Sequence, residues 1–552
     1  MLRLATMSGP STSHVPVPLI QIDSETNKLM VCQQGLDCLT SNNKRTPLCV
    51  LAVAGLYRTG KSFLLNRIVS SLRSLSTTTT STTTTSTTTT STTATPPKFP
   101  VGTTTEACTR GIWIWDPNIK LRGGARLILL DSEGLASLDQ DEQHDAQIFC
   151  LALLLSSFFI LNTQGVIDEA AIDRLYVVGE ITKRVCVASS KKEKEEKGKK
   201  DEKEERKEKE EEALSEHFPP FMWLLRDFHL SLEREGRTLS TSEYLEQSLS
   251  NRSTKQGRRS EERNDTRRAV RSLFRRRQCF TMVRPALDEE GLRNAGGLND
   301  EHLRPEFVQQ LQSLCTILQE EVPRKRCLGT DVDGIQLGEL AKRYVEAMNN
   351  GAVPEIKGTW EHVVERTYSE ARVRCSAMYK EKMREKCTFQ TMFQDDGHEG
   401  YLERPVGKFY SRFEEISEKC VRTARSSFVE MTRGCATTSL GARRDEVERT
   451  SLFEEISLSK REFIREMEES SRTLTRQAME RMLAYCQHES ETMEGTLDCI
   501  ERASESFRRE SVALDKTVSS SFTPTAVEIM SSVWPQRIFP LLRTWNSTIY
   551  FY

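Results

Sequence analysis

Short apolar runs punctuate the first 345 residues, at 48–54, 126–130, 158–161 and 222–225, and between them apolar positions recur at helical spacing. Short, largely apolar runs separated by helical stretches belong to strands covered on both faces. The pattern therefore predicts an α/β domain on a mainly parallel sheet flanked by helices. Beyond about residue 346 the strand-like runs cease. Phe409, Phe413, Ile416 and Cys420, then Phe453, Ile456, Phe463 and Met467, mark apolar stripes with charges between them, which predicts an elongated all-α bundle of coiled-coil type. The expected boundaries are a flexible N-terminus over 1–20, the α/β domain over 21–345 and the helical domain over 346–552. The longest apolar stretch, 146–161, contains Gln147, Ser156 and Ser157 and falls short of the roughly 20 residues that span a bilayer. It reads as a buried helix running into a buried strand.

Two inserts interrupt the α/β pattern. Residues 76–93 are all Ser or Thr, with nothing to bury, and predict a disordered loop. Residues 191–212 are charged except for Gly198, with 10 basic and 11 acidic side chains, and predict a solvated helix or a disordered spacer. Over the whole chain 78 Lys and Arg stand against 80 Asp and Glu, so bulk charge supports neither nucleic-acid nor membrane binding. A basic segment at 252–277, with 11 basic and 3 acidic residues, reads as a solvated helix leading into a strand at 279–283 rather than a nucleic-acid patch. Fifteen scattered cysteines form no metal-spaced cluster, and the N-terminus carries neither a signal sequence nor a myristoylation glycine. A cytoplasmic protein with reduced thiols is expected.

The chemistry begins where the first apolar run ends. Gly55, Leu56, Tyr57, Arg58, Thr59, Gly60, Lys61 and Ser62 fit the eight-residue phosphate-loop pattern between a strand and a helix. Such glycines let backbone N–H groups turn around phosphate oxygens, the helix N-terminus adds partial positive charge, Lys61 reaches the β and γ phosphates, and the Ser62 hydroxyl ligates Mg²⁺. Asp131 follows the apolar run at 127–130 and is the expected carboxylate of the magnesium shell. In the same turn, Glu133 is placed to order water or switch contacts and the Gly134 amide to sense the γ phosphate. Thr109 precedes the amphipathic strand of Ile112, Trp113, Ile114 and Trp115 and offers a second hydroxyl to magnesium, whereas the two tryptophans read as strand packing rather than base-stacking groups. Leu224, Leu225, Arg226 and Asp227 close a later strand, and the Asp227 carboxylate can accept the N1–H and exocyclic amine of guanine. A solvent-exposed Arg-Asp pair is the alternative.

These motifs, in this order and with Arg284-Pro285 ahead of Leu303-Arg304-Pro305-Glu306-Phe307-Val308, resemble the guanylate-binding proteins, interferon-inducible large GTPases of the dynamin superfamily. The resemblance covers about residues 20 to 360 and extends to the helical half only in general character. It implies a Mg²⁺-dependent GTPase of innate immune defence, with GTP as substrate, that forms homodimers through its GTPase domains when GTP-bound and assembles further. It also implies that Arg58 is an internal arginine finger on the γ phosphate, that Asp227 reads guanine with Arg226 beside it, and that the segment before Leu303 caps the base. Three departures stand out. Ala107 replaces the usual switch serine, Leu224 replaces the usual threonine of the guanine motif, and the Ser/Thr insert lies just ahead of the first switch. Ile549, Tyr550, Phe551 and Tyr552 include no cysteine for prenylation, so no lipid anchor and only indirect membrane contact are expected. Set beside the family's usual stalk, the 346–552 half reads as shorter, and a truncated or divergent helical domain is the expectation. The rival reading is a GTP-dependent self-assembling scaffold with little or no hydrolysis. A membrane-fusing relative of the atlastins is disfavoured, since no pair of spanning helices follows the α/β half.

Overall fold

A computed structural model describes residues 15–41, 45–78, 98–101, 111–134, 142–173, 175, 185, 212–234, 236–251, 258–287, 300–352, 354–387, 407–435 and 439–489. The elements begin with β1 (Val17–Ile22), β2 (Leu29–Val31), α1 (Gln33–Thr40), β3 (Leu48–Gly55), α2 (Lys61–Thr78) and β4 (Ile112–Trp115). There follow β5 (Arg126–Ser132), α3 (Glu142–Leu155), β6 (Phe158–Gln164), α4 (Glu169–Asp173) and β7 (Phe221–Arg226). After the hairpin of β8 (Glu233–Arg234) and β9 (Arg237–Thr238) come α5 (Thr241–Leu249), α6 (Arg258–Leu273), β10 (Arg277–Met282) and α7 (Pro305–Glu321). A second hairpin, β11 (Arg326–Cys327) and β12 (Thr330–Asp331), leads to α8 (Gly334–Asn349), and three long helices close the described chain: α9 (Ile356–Lys386), α10 (Gly407–Met431) and α11 (Ser439–Glu489).

Eight strands form one sheet in the order β10-β7-β6-β3-β5-β4-β1-β2. The first five run parallel, and β4, β1 and β2 add an antiparallel edge. Every residue of β3, β5 and β7 is buried, as the apolar runs require of strands covered on both faces. Alternation sends Cys49, Leu51 and Val53 of β3 to the face where α2 and α7 pack, together with Ile160, Met222 and Leu224. On the opposite face lie α3 and, against it, α8. The stretch at 146–161 is, as expected, the buried end of α3 running into β6, and no described helix is long and apolar enough to cross a membrane.

The N-terminal boundary needs correction. Instead of a flexible 1–20, β1 begins at Val17 and lies inside the sheet, with Leu19 and Ile20 fully buried. Pro18 hid the strand, because proline cannot donate to a ladder, and the pairing of β1 with β4 shifts register between Pro18 and Ile20 to accommodate it. The Ser/Thr insert is helical for its first three residues, as α2 continues to Thr78; an established helix extends at far lower cost than a new one nucleates. The rest of that insert, and the charged insert up to residue 211, lie outside the described residues.

Trp115 is 1% exposed and meets Phe99 edge-on with ring centres 5.5 Å apart, and Trp113 packs partly buried on the same core, so both serve packing. The basic segment, from residue 258 on, includes α6 and β10, and several of its arginines pair with carboxylates of the same unit. Arg263 pairs with Asp173, Arg267 with Glu169, Arg275 with Glu212 and Arg277 with Glu246.

The chain divides into two compact units, residues 1–366 with 437–441, and 367–436 with 442–552. The first unit therefore runs past residue 345 to include the start of α9, where Trp360 is 1% exposed. In the second unit Tyr368, Cys375, Tyr379 and Met383 of α9 are buried, as are Phe413, Cys420 and Phe428 of α10 and Leu452, Ile456 and Phe463 of α11. Phe453, expected on the apolar stripe, is instead 50% exposed beneath the Arg425 guanidinium, because Leu452 occupies the inward helical position.

Lys325 is buried and donates from Nζ to the Leu154 and Ser156 carbonyls at 2.6 and 2.8 Å, closing the C-terminal end of α3. Burial pushes its amine down to about 8. Between pH 8 and the ordinary value near 10.4 the unfolded chain holds a proton that the folded one has lost, so this site's contribution to stability must rise with pH across that window. Denaturant titrations of the protein and of Lys325→Met at pH 7 and pH 10 should show the difference moving toward the native residue by on the order of 2 kcal/mol. A difference independent of pH would mean that the amine titrates normally.

Candidate functional site

The phosphate-loop residues stand at the C-terminal edge of the parallel strands, between β3 and α2. Gly55 has no room for a side chain, since a Cβ would come within 2.0 Å of the Asn162 carbonyl oxygen on β6. The turn that follows places Arg58 (φ 62°) and Gly60 (φ 76°) in the left-handed region, which costs a residue with a Cβ about 1 kcal/mol or more. Arg58 is exposed, and its guanidinium lies 5.2 Å from the centre of the Tyr57 ring. Thr59 folds inward, with its hydroxyl donating to Leu56 O at 2.9 Å.

Lys61 opens α2 and is 7% exposed. Its ammonium donates to Gly55 O (3.3 Å) and Leu56 O (3.0 Å), which leaves one of three protons for a ligand. Burial draws its pKa down to about 8, while Asp131, Glu133 and Asp145 oppose the shift. The next residue reaches across to β5, where the Ser62 hydroxyl donates to Asp131 Oδ2 at 2.6 Å. A hydroxyl and a fully buried carboxylate thus converge beside the lysine, and this pair of hard oxygen donors fits Mg²⁺. Thr109, the other expected magnesium ligand, lies outside the described residues, as do Ala107 and Leu135.

After Asp131 the chain packs against the loop. A Cβ on Gly134 would lie 2.3 Å from Tyr57 Cα, so this turn and the phosphate loop touch backbone to backbone. Glu133 is 4% exposed; its Oε2 accepts the Gly111 N–H at 2.7 Å, and its own N–H donates to Gly111 O, also at 2.7 Å. The carboxylate expected to order water therefore ties the end of β5 to the residue that leads into β4.

Asp227 stands just past β7 with φ 55°, and Arg284 Nε approaches its carboxylate to 3.8 Å. Of the segment expected to cap the base, 288–299 lies outside the described residues, but its two ends are joined by the Arg304 N–H donating to Pro285 O at 2.9 Å. Arg226 stays within electrostatic range of Asp227 but packs elsewhere. It is the last residue of β7 and 4% exposed, and it lies over Phe307 with its guanidinium carbon 5.7 Å from the ring centre. Sequence reasoning missed Asn162, whose Nδ2 donates to Thr59 O at 2.9 Å. A polar residue closing an apolar strand beside the phosphate loop was the available signal.

Two family patterns match the chain: the N-terminal domain of guanylate-binding proteins over residues 26–326, and their C-terminal domain over 329–404. Guanylate-binding protein 5 of Mus musculus is 33% identical over 384 residues, covering 68% of this chain and 58% of that protein. Guanylate-binding protein 1 of Homo sapiens is also 33% identical over 384 residues, covering 69% and 58%. Guanylate-binding protein 6 of Homo sapiens is 30% identical over 388 residues, covering 70% and 54%. The chain spans less than two thirds of the length of each.

The contact between Gly134 and Tyr57 can be tested directly. Gly134→Ala must push the two backbones apart, and a folded variant should bind labelled nucleoside triphosphate roughly tenfold or more weakly in a fluorescence titration. Native affinity in that variant would show that the two segments need not touch for phosphate binding.

Proposed function

The chain belongs to the guanylate-binding protein family, and from that membership we propose that it is a large GTPase that binds GTP with Mg²⁺, hydrolyses it, and couples turnover to dimerisation of its GTPase domains. The observation that carries the reading is the convergence of Lys61, Ser62 and Asp131 at the end of a glycine-bounded loop, with the Ser62 to Asp131 bond at 2.6 Å. Backbone amides of the loop and the Lys61 ammonium hold the β and γ phosphates. Magnesium, when bound through Ser62, Thr109 and the Asp131 carboxylate, supplies positive charge to the phosphate oxygens. Asp227 accepts the two guanine donors, and the Arg284 side chain then gives way. Arg58, exposed at the tip of the loop, is the positive group that dimerisation would direct onto the γ phosphate. The role in innate immune defence follows the family likeness, and higher-order assembly would use the helical unit.

A second reading has a specific observation in its favour. Glu133 is engaged by Gly111 rather than turned to a nucleophile, and Ala107 brings no hydroxyl. Both favour a self-assembling scaffold that binds GTP and turns it over little or not at all. Phosphate release separates the two: continuous release at saturating GTP supports the enzyme, and GTP-dependent sizing without release supports the scaffold.

Under the enzyme reading, Arg58→Ala should keep GTP affinity within a few fold and lower turnover by roughly 10³ or more, while specific activity of the unmutated protein rises with concentration. Normal turnover in that variant would make Arg58 a solvated loop residue. Base choice is tested separately. Asp227→Asn should weaken GTP far more than xanthosine triphosphate, because an amide replaces the acceptor that guanine needs. Equal losses for the two nucleotides would remove Asp227 from base recognition.

A further inference from the structure

Two buried polar side chains lie beneath the phosphate loop with hydrogen-bonding capacity that the roles above do not use. Asn162 is fully buried, and while its Nδ2 holds Thr59 O, its Oδ1 meets no hydrogen-bond partner among the described residues. Arg226 is 4% exposed, and neither its Nε nor its Nη1 has a hydrogen-bond partner among the described residues. The register of β6 with β7 sets Asn162 beside Leu224 and Gln164 beside Arg226, so Asn162 and Arg226 occupy diagonal positions on one sheet face. That face also carries Phe307 and the start of α2. A Cβ built on Gly60 would stop 3.8 Å from Arg226 Nη1, which puts the guanidinium directly against the loop.

Leaving a guanidinium buried without a carboxylate or carbonyls to bond costs stability. Here burial lowers its pKa to about 10, with Asp227 opposing the shift. A charge kept at such a cost is explained when it acts on something bound nearby, across protein rather than water.

We propose that Arg226 and Asn162 are a positioning pair for the phosphate loop: Asn162 draws the Thr59 carbonyl toward the sheet so that the amides after it face the phosphates, and Arg226 backs Gly60 with positive charge that bound phosphate feels. Neither side chain reads the base. The inference rests on the nucleotide-binding reading above and moves Arg226 from base recognition to phosphate binding. It also accounts for Leu224, since the polar support at that level of the sheet comes from Asn162 on the neighbouring strand.

Arg226→Met, Arg226→Lys and Asn162→Ala, made in the full chain, test it with fluorescent GDP and GTP, inosine triphosphate as base probe, and thermal unfolding without nucleotide. Arg226→Met should weaken GDP and GTP alike by roughly 10- to 100-fold and leave the GTP-to-inosine-triphosphate ratio unchanged. Its unfolding midpoint should stay level or rise, because Met packs on Phe307 without burying a charge. Arg226→Lys should recover most of the affinity, and the double variant Arg226→Met with Asn162→Ala should lose less than the product of the single losses, because both act on one loop. Three results overturn the proposal: unchanged affinity in Arg226→Met, a loss confined to base selectivity, or a loss that tracks a lowered midpoint and is not rescued by lysine. If the unmutated protein binds neither GDP nor GTP, the nucleotide reading itself fails, whereas normal binding with flat variants sinks the positioning pair alone.

Discussion

At Gly55 the phosphate loop leaves the sheet with its backbone pressed onto β6, where a side chain would collide with the Asn162 carbonyl. The rest of the site depends on that close approach. It brings Thr59 within reach of the Asn162 amide, starts α2 over the C-terminal edge of the sheet, and sets Ser62 opposite Asp131. The helix is held there by its own burial: Phe63, Leu64, Leu65 and Ile68 sink into the core shared with α7, and the rings of Phe63 and Phe307 lie 6.2 Å apart. Burying such side chains stabilises by about 1.5 to 3 kcal/mol each. Together they outweigh the left-handed backbone of Arg58, which costs about 1 kcal/mol or more. The packed core thus holds the strained loop in place.

A second set of contacts joins the loop to the segments that follow it in the sheet. Gly134 touches Tyr57 backbone to backbone, and Glu133 exchanges two hydrogen bonds with Gly111. One of those bonds has a carboxylate acceptor, a type worth roughly 1.5 to 3 kcal/mol. A ligand that rearranges this region must supply at least that much differential affinity to release it. For Glu133, holding Gly111 and ordering water are competing tasks, so its chemistry belongs to whichever arrangement the bound nucleotide favours.

The sequence made much of this legible because its signals were local. The buried strands read as apolar runs to within three residues, and 146–161 resolved into helix and strand because Ser156 and Ser157 interrupt it. Lys61, Ser62 and Asp131 could be named because loop and strand end have fixed spacing and fixed chemistry. What escaped depends on the third dimension. Pro18 concealed a strand whose pairing with β4 lies far along the chain. Asn162 carries no motif and acquires its role only when β6 lies beside β3. The resemblance places Arg226 beside Asp227 at the base, yet its side chain packs over Phe307, and Phe453 misses its stripe by a single helical position.

Charge distribution follows the same division between local pattern and tertiary placement. A chain with nearly balanced charge can still build an anion site if its cations are paired everywhere except where the anion is to bind. The arginine-rich α6 and β10 look basic in sequence, but Asp173, Glu169 and Glu246 pair with Arg263, Arg267 and Arg277. Around the phosphate loop the cations' direct contacts differ, although Asp131 and Glu133 lie near Lys61 and Asp227 near Arg226. Lys61 bonds to loop carbonyls, Arg58 lies against an aromatic ring, and Arg226 lies over Phe307. Carbonyls and ring faces orient a cation without cancelling its charge. Carboxylates pair directly with arginines of the basic helix, whereas at the phosphate loop the direct partners of Lys61, Arg58 and Arg226 are carbonyls and ring faces, which orient each cation toward the loop.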